Sequence, residues 1–118
     1  MADHGIKCVE TSGHSAPEEL VGRFKDLGMT WMHKCVGAKY ARKVEDMGAD
    51  IVTVVGYENG GATGKLDIGT LVLVPTVVDA VKVPVIGGGG VSDGRGLAAV
   101  LSLGAEAAIM GTRLLMTK

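Results

Sequence analysis

Aromatic residues make up only 3% of this 118-residue chain, cysteine occurs twice, and neither sign of charge dominates: 12 Lys+Arg face 13 Asp+Glu, a formal net charge of -1. Near-neutrality removes the electrostatic reason to expect nucleic acid or an anionic membrane as partner, and neither is expected. Cys8 and Cys35 are too few for a zinc framework, so no metal site is expected. They read as reduced, buried thiols of a cytoplasmic protein. The longest apolar runs, such as Leu71 to Val74, fall far short of a membrane span. The start, Met1 to Lys7, is polar and too short for a signal peptide.

What the chain does have is aliphatic residues and glycine. Hydrophobic residues make up 47%, supplied mainly by Val, Ala, Leu, Ile and Met, and there are 19 glycines, well above the usual ~7%. The glycines have no three-residue period, which excludes collagen, and the abundance of Val, Leu and Ile excludes disorder. Buried β-branched strands joined by glycine turns give this composition.

Strand and helix signals alternate. Ile6 to Thr11 reads as a strand, followed by a helix with Ser15 as N-cap, acids Glu18 and Glu19 in its first turn and Gly28 as its stop. Met29 to Val36 reads as a strand and Ala38 to Met47 as a helix closed by Gly48. Ile51 to Val55 is an unbroken β-branched run, the pattern of a strand buried on both faces in a parallel sheet. After a glycine-rich loop, Gly56 to Gly69, a helix is expected over Thr70 to Lys82, distorted in its first turns by Pro75. A strand over Val83 to Ile86, a helix over Gly96 to Leu103 started and capped by Asp93 and Arg95, and a last strand over Ala107 to Met110 complete the pattern. No helix is expected to cover that last strand.

Helix end, glycine, small or apolar residue and strand recur as Leu27-Gly28-Met29, Met47-Gly48-Ala49-Asp50 and Leu103-Gly104-Ala105-Glu106. Each repeat is one αβ step. Such alternation suits either an open doubly wound sheet or part of a (β/α)8 barrel, which in full needs ~250 residues. Glycine placement separates the two. The segment after the first strand, Cys8-Val9-Glu10-Thr11-Ser12-Gly13, lacks the dinucleotide fingerprint G-x-G-x-x-G. The glycines concentrate instead in Gly87 to Gly90 and at Gly111-Thr112-Arg113, after the last two strands, where barrel enzymes often hold a phosphate on backbone N–H groups. The expectation is an α/β fold, a partial (β/α)8 TIM barrel of about five βα units, with residues 1–118 as a single partial domain.

The residues Pro84-Val85-Ile86-Gly87-Gly88-Gly89-Gly90-Val91-Ser92-Asp93-Gly94-Arg95-Gly96-Leu97-Ala98-Ala99, then Leu103-Gly104-Ala105-Glu106 and Met110-Gly111-Thr112-Arg113, resemble the FMN-phosphate half of the nitronate monooxygenase (2-nitropropane dioxygenase) family. Gly56-Tyr57-Glu58-Asn59-Gly60-Gly61-Ala62-Thr63-Gly64 occupies the place of that family's G-x-E-A-G-G-H-x-G loop. The resemblance runs over nearly all of the chain and corresponds to barrel strands four to eight. It implies FMN as cofactor, held by Lys34, Gly60, Gly61, Gly89, Gly90, Met110, Gly111 and Thr112. The backbone amides of Gly90, Gly111 and Thr112 fall on the phosphate positions, and Lys34 on the N1/C2 edge of the flavin, where a cation stabilises the reduced ring.

The resemblance implies a flavoprotein monooxygenase that oxidises nitronates or nitroalkanes with O2, but two positions depart from the family. Its proposed proton-transferring histidine is Ala62 here, and a glutamine before the loop is Val55. General bases contribute ~10²–10⁴-fold, so the catalytic base is unknown; nitronates, already deprotonated, need one less. His14, in the loop after the first strand, is a candidate substitute; His33 should face the helices if Lys34 faces the mouth, and His4 has no assigned role. Glu58 is read as a structural cap within its own turn.

Alternatives stay open. A related FMN barrel reductase of NAD(P)H:quinone or enoyl reductase type is one. An IMP dehydrogenase-like phosphate-binding barrel is another, disfavoured by the absence of Cys from the Gly56 to Gly69 loop. A non-catalytic assembly unit is a third. The expected partners are a small-molecule substrate and, through two open sheet edges, either a missing barrel segment or a second copy in a homo-oligomer.

Overall fold

The computed structural model describes residues 4–13, 15–61 and 64–118. Strands and helices alternate as β1 (Cys8–Ser12), α1 (Glu18–Asp26), β2 (Thr30–Cys35), α2 (Ala38–Asp46), β3 (Ile51–Val55), α3 (Thr70–Val78), β4 (Val85–Gly88), α4 (Gly94–Ser102), β5 (Ala107–Ile109) and α5 (Thr112–Leu115). The strands form one parallel sheet in the order β1-β2-β3-β4-β5, so neighbours in sequence are neighbours in space. This is the topology of consecutive units of a (β/α)8 barrel.

The sheet register assigns every side chain to a face. Val9, Trp31, His33, Cys35, Val52, Val54, Val85, Gly87 and Ala108 point to the helices; most are fully buried, and the apolar ones join Val21, Ala41, Val44, Leu73, Val74, Val77 and Val100 in the core. Gly87 lies where α3 and α4 press closest, since a Cβ there would meet Val100 Cγ1 at 2.7 Å and Val74 Cγ2 at 3.0 Å. Cys8, Glu10, Ser12, Thr30, Met32, Lys34, Thr53, Val55, Ile86, Gly88, Ala107 and Ile109 alternate onto the opposite face, the interior side of a barrel.

The repeat seen in the sequence is a repeated joint. Gly28, Gly48 and Gly104 all have positive φ (63°, 94° and 96°) at the ends of α1, α2 and α4. In each, the glycine N–H and the next N–H turn back onto the helix: Gly28 to Lys25 and Met29 to Phe24, Gly48 to Glu45 and Ala49 to Val44, Gly104 to Leu101 and Ala105 to Val100. These are Schellman motifs, and the residue after each glycine (Met29, Ala49, Ala105) is buried.

Several boundaries differ from the sequence reading. Ser15 does not cap α1; the N-cap is Pro17, whose carbonyl accepts from Leu20 N at 2.8 Å and Val21 N at 3.3 Å. α3 runs through Pro75 and stops at Val78 instead of reaching Lys82, with the Thr76 hydroxyl donating to the Val72 carbonyl beside the bond that Pro75 lacks. β4 starts at Val85 because the amides of Lys82 and Val83 donate to Glu45 Oε1 of α2 (2.6 and 3.1 Å) and are diverted from the ladder. α4 starts two residues early, at Gly94, because Asp93 Oδ1 accepts from both Arg95 N and Gly96 N (2.9 and 3.1 Å), a full N-cap. After β5, α5 is a single turn with no buried residue.

Candidate functional site

Parallel strands deliver all their C-terminal ends to one rim, and the loops leaving that rim meet there. A cavity of about 790 Å³ opens between the ends of β2 to β5. It is lined by Lys34 of β2, Val55 at the end of β3, Glu58 to Gly61, Gly89 to Ser92, Ile109 of β5, and the turn Met110 to Arg113 with Leu115 and Met116. Lys34, Gly60, Gly61, Gly89, Gly90, Met110, Gly111 and Thr112, the eight residues singled out from the sequence, all border this one space. Its volume lies within the range of small-molecule and cofactor sites.

The lining suits an anionic ligand. Among the described residues, Gly61 and Gly111 have no atom within 4 Å of where a Cβ would sit, and Gly60 has only Thr112 Oγ1, at 4.0 Å. A side chain at these places would fill the space that a ligand needs to reach the backbone. Among the described residues, the N–H groups of Gly90, Gly111 and Thr112 donate to no protein acceptor. Lys34 and Arg113 bring positive charge to the same wall, and neither forms an ion pair among the described residues. Free N–H donors and two cations around glycines fit the phosphate of a mononucleotide cofactor.

The one carboxylate in the lining is turned elsewhere. Glu58 Oε2 accepts from Thr70 N (2.9 Å) and lies 2.8 Å from Thr70 Oγ1, so besides its own backbone amide it caps the head of α3 twelve residues away. Burial acts to raise its pKa, but hydrogen bonds from its own backbone and from the Thr70 hydroxyl and amide outweigh this, leaving the carboxyl below the usual value. The buried Thr70 hydroxyl also lies 3.1 Å from the Gly88 carbonyl and 2.8 Å from the Gly89 carbonyl. Sequence reasoning missed Thr70 altogether; a hydroxyl residue directly after Gly69 at a helix head was the available signal.

Other candidates fall outside the cavity. His33 is 1% exposed on the helix side. Trp31 Nε1 donates to Thr11 Oγ1 at 2.8 Å, and the Thr11 hydroxyl in turn lies 2.7 Å from His33 Nδ1, which links the three side chains in a relay. Desolvation lowers the His33 pKa, against the opposing pull of the Gly13 carbonyl and Glu10. Asp93 is held below its usual value by the Arg95 guanidinium first and by the Gly96 amide next, as a helix cap. On the interior face Thr53 Oγ1 donates to Glu10 Oε1 at 2.7 Å. His14 and Ala62 lie outside the described residues, and no group of three or more metal-ligating side chains is found among the described ones. No described helix is long and apolar enough to cross a membrane.

Consecutive parallel βα units, with a glycine-bordered cavity at the strand ends, define part of a (β/α)8 barrel of the kind that receives its ligand at the C-terminal rim. The chain belongs to the nitronate monooxygenase family, which it matches over residues 1–118. It is 47% identical over 120 residues to the (3aS,4S,5R,7aS)-5-hydroxy-7a-methyl-1-oxo-octahydro-1H-indene-4-carboxyl-CoA dehydrogenase of Mycobacterium tuberculosis (strain ATCC 25618 / H37Rv), over 99% of this chain and 33% of that protein. Among solved structures it is similar to FabK from Thermotoga maritima, with a TM-score of 0.89 and 38% identity over 97% of this chain and 36% of that one. A nitroalkane oxidase from Streptomyces ansochromogenes gives a TM-score of 0.84 and 32% identity, again over 97% and 36%. The chain therefore spans about a third of the length of these relatives.

Proposed function

We propose that this chain forms the FMN-phosphate half of an FMN-dependent oxidoreductase barrel. The observation that carries this is the convergence of Gly90, Gly111 and Thr112, whose N–H groups donate to no acceptor among the described residues, and two cations on one cavity of about 790 Å³. FMN supplies the electron and hydride chemistry when bound. The chain's own part is to seat the phosphate on the two terminal loops, to present the Lys34 cation to the same cavity, and to wall it with Val55, Ile109 and Met110. The free edges of β1 and β5 pair with the remainder of the barrel or with a second copy.

For the substrate, the family resemblance supports nitronate oxidation with O2, and a nitronate arrives already deprotonated, which suits a cavity whose described carboxylate is occupied as a helix cap. A second reading is favoured by the 47% identity to a CoA-ester dehydrogenase: oxidoreduction next to an acyl-CoA thioester. The full-length gene product, purified and titrated with FMN, tests the first claim by its absorbance spectrum; a protein that neither carries nor binds FMN would sink it. Bleaching of the bound flavin by an alkyl nitronate, against bleaching by an acyl-CoA, separates the two substrates.

A further inference from the structure

Four glycines in two different loops crowd around one pair of side chains. A Cβ on Gly56 would lie 2.6 Å from Glu58 Oε2 and collide with both the amide and the hydroxyl of Thr70. One on Gly69 would lie 3.2 Å from Glu58 Oε1, one on Gly89 would lie 2.5 Å from Thr70 Oγ1 and 2.8 Å from Gly56 N, and one on Gly90 would lie 3.1 Å from Glu58 Cβ. Glycine at these places makes room for the Glu58–Thr70 pair, whereas Gly60, Gly61 and Gly111 border open space. The two sets of glycines do different work.

The pair joins three pieces of backbone that the sheet brings together. The Glu58 carboxylate ties the loop after β3 to the head of α3 through the Thr70 amide. The Thr70 hydroxyl reaches across β4 to the carbonyls of Gly88 and Gly89, and Gly56 N donates to the Gly88 carbonyl at 2.9 Å. Thr70 has one hydroxyl proton and faces three acceptors, so carboxylate and carbonyls share it and are drawn to a single point. Gly90 follows directly, at φ +71° in the cavity wall.

We propose that Glu58 and Thr70 are positioning residues for the phosphate-binding loop: by knotting the loops after β3 and β4 onto the head of α3, they hold the Gly90 backbone in its anion-receiving orientation. This rests on the flavin reading above. Its distinctive consequence is selectivity for the phosphate, since riboflavin carries the same ring system without it. Loosening the knot weakens FMN and spares riboflavin, whereas general damage to the cavity weakens both.

The test is the ratio of riboflavin to FMN dissociation constants, measured by flavin fluorescence on the full-length gene product and three variants. Thr70→Val removes the hydroxyl at nearly constant volume and is expected to weaken FMN about tenfold with riboflavin unchanged. Thr70→Ser restores the wild-type ratio. Should Thr70→Val fail to fold, Glu58→Ala, at an exposed side chain, is expected to lower the ratio about threefold. Equal weakening of both ligands, or an unchanged ratio, overturns the positioning role while leaving the flavin site standing. A wild-type protein that binds neither ligand overturns the flavin reading and this inference together.

Discussion

The helix-covered face of the sheet and its opposite face differ in almost every property although they share the same five strands. Toward the helices the strands present Trp31, Cys35, Val52, Val54 and Val85, all at most 4% exposed, and the one ionisable imidazole there is tied into a Trp31–Thr11–His33 relay. Toward the other side they present Glu10, Thr30, Lys34, Thr53 and Val55, and the cavity opens at the top of that side. The covered face is where burial stabilises the fold, and the uncovered one is where charge and backbone donors stay available. A barrel strand therefore carries two independent messages on alternate residues.

The sharpest way to break that division is to place a charge on each side in turn. Val54→Asp puts a carboxylate among fully buried side chains and is expected to cost on the order of 4 kcal/mol or more, enough to abolish the cooperative urea transition of a domain this small. Thr30→Asp, on the opposite face, is expected to shift stability by less than about 1 kcal/mol. Equal effects would refute the assignment of faces.

The two cysteines test the same contrast kinetically. Cys35 is buried, and burial pushes its thiol up to about 12, while Cys8, read from the sequence as buried too, is exposed on the opposite face. Since only the thiolate reacts, iodoacetamide at pH 8 should modify Cys8 in the native chain and leave Cys35 untouched until denaturant is added. Mass spectrometry of the native protein showing both sites alkylated at similar rates would contradict this.

A smaller effect belongs to His33. Burial holds its pKa below the ordinary 6.5. Its contribution to stability is fully present above pH 6.5 and is lost as pH falls from there through the folded-state pKa, because the unfolded chain takes up the proton that the folded one refuses. His33→Gln should flatten the fall in urea midpoint as pH drops below about 6.5, above the titration of the capping carboxylates Glu58 and Asp93, both of which are themselves lowered. An unchanged slope would place the acid sensitivity elsewhere.

Much of this was legible in the residues. β3 has the bounds read from its β-branched run, because a strand buried in a parallel sheet needs no partner information to declare itself. The cavity glycines were legible because absence of a side chain is a local signal. What stayed hidden depends on residues far apart in sequence. Glu45 reaches 37 residues ahead to capture Lys82 N and thereby delays β4, and Thr70 meets Gly88 eighteen residues on. The Ser15 cap failed for a local reason, since Pro17 started the helix without a side-chain partner.

The three Schellman joints have one more consequence. At each, the residue after the buried one sends its N–H to the preceding strand's side of the sheet: Thr30 to Lys7, Asp50 to Trp31, Glu106 to Val85. The joint thus ties the exit of a helix to the start of the next strand through main-chain atoms, with the Asp50 carboxylate adding an acceptor for Trp31 N at the second joint. In engineering terms it is a standard coupling, and chimeras spliced at Gly28, Gly48 or Gly104 are expected to keep the alignment of the strands that follow.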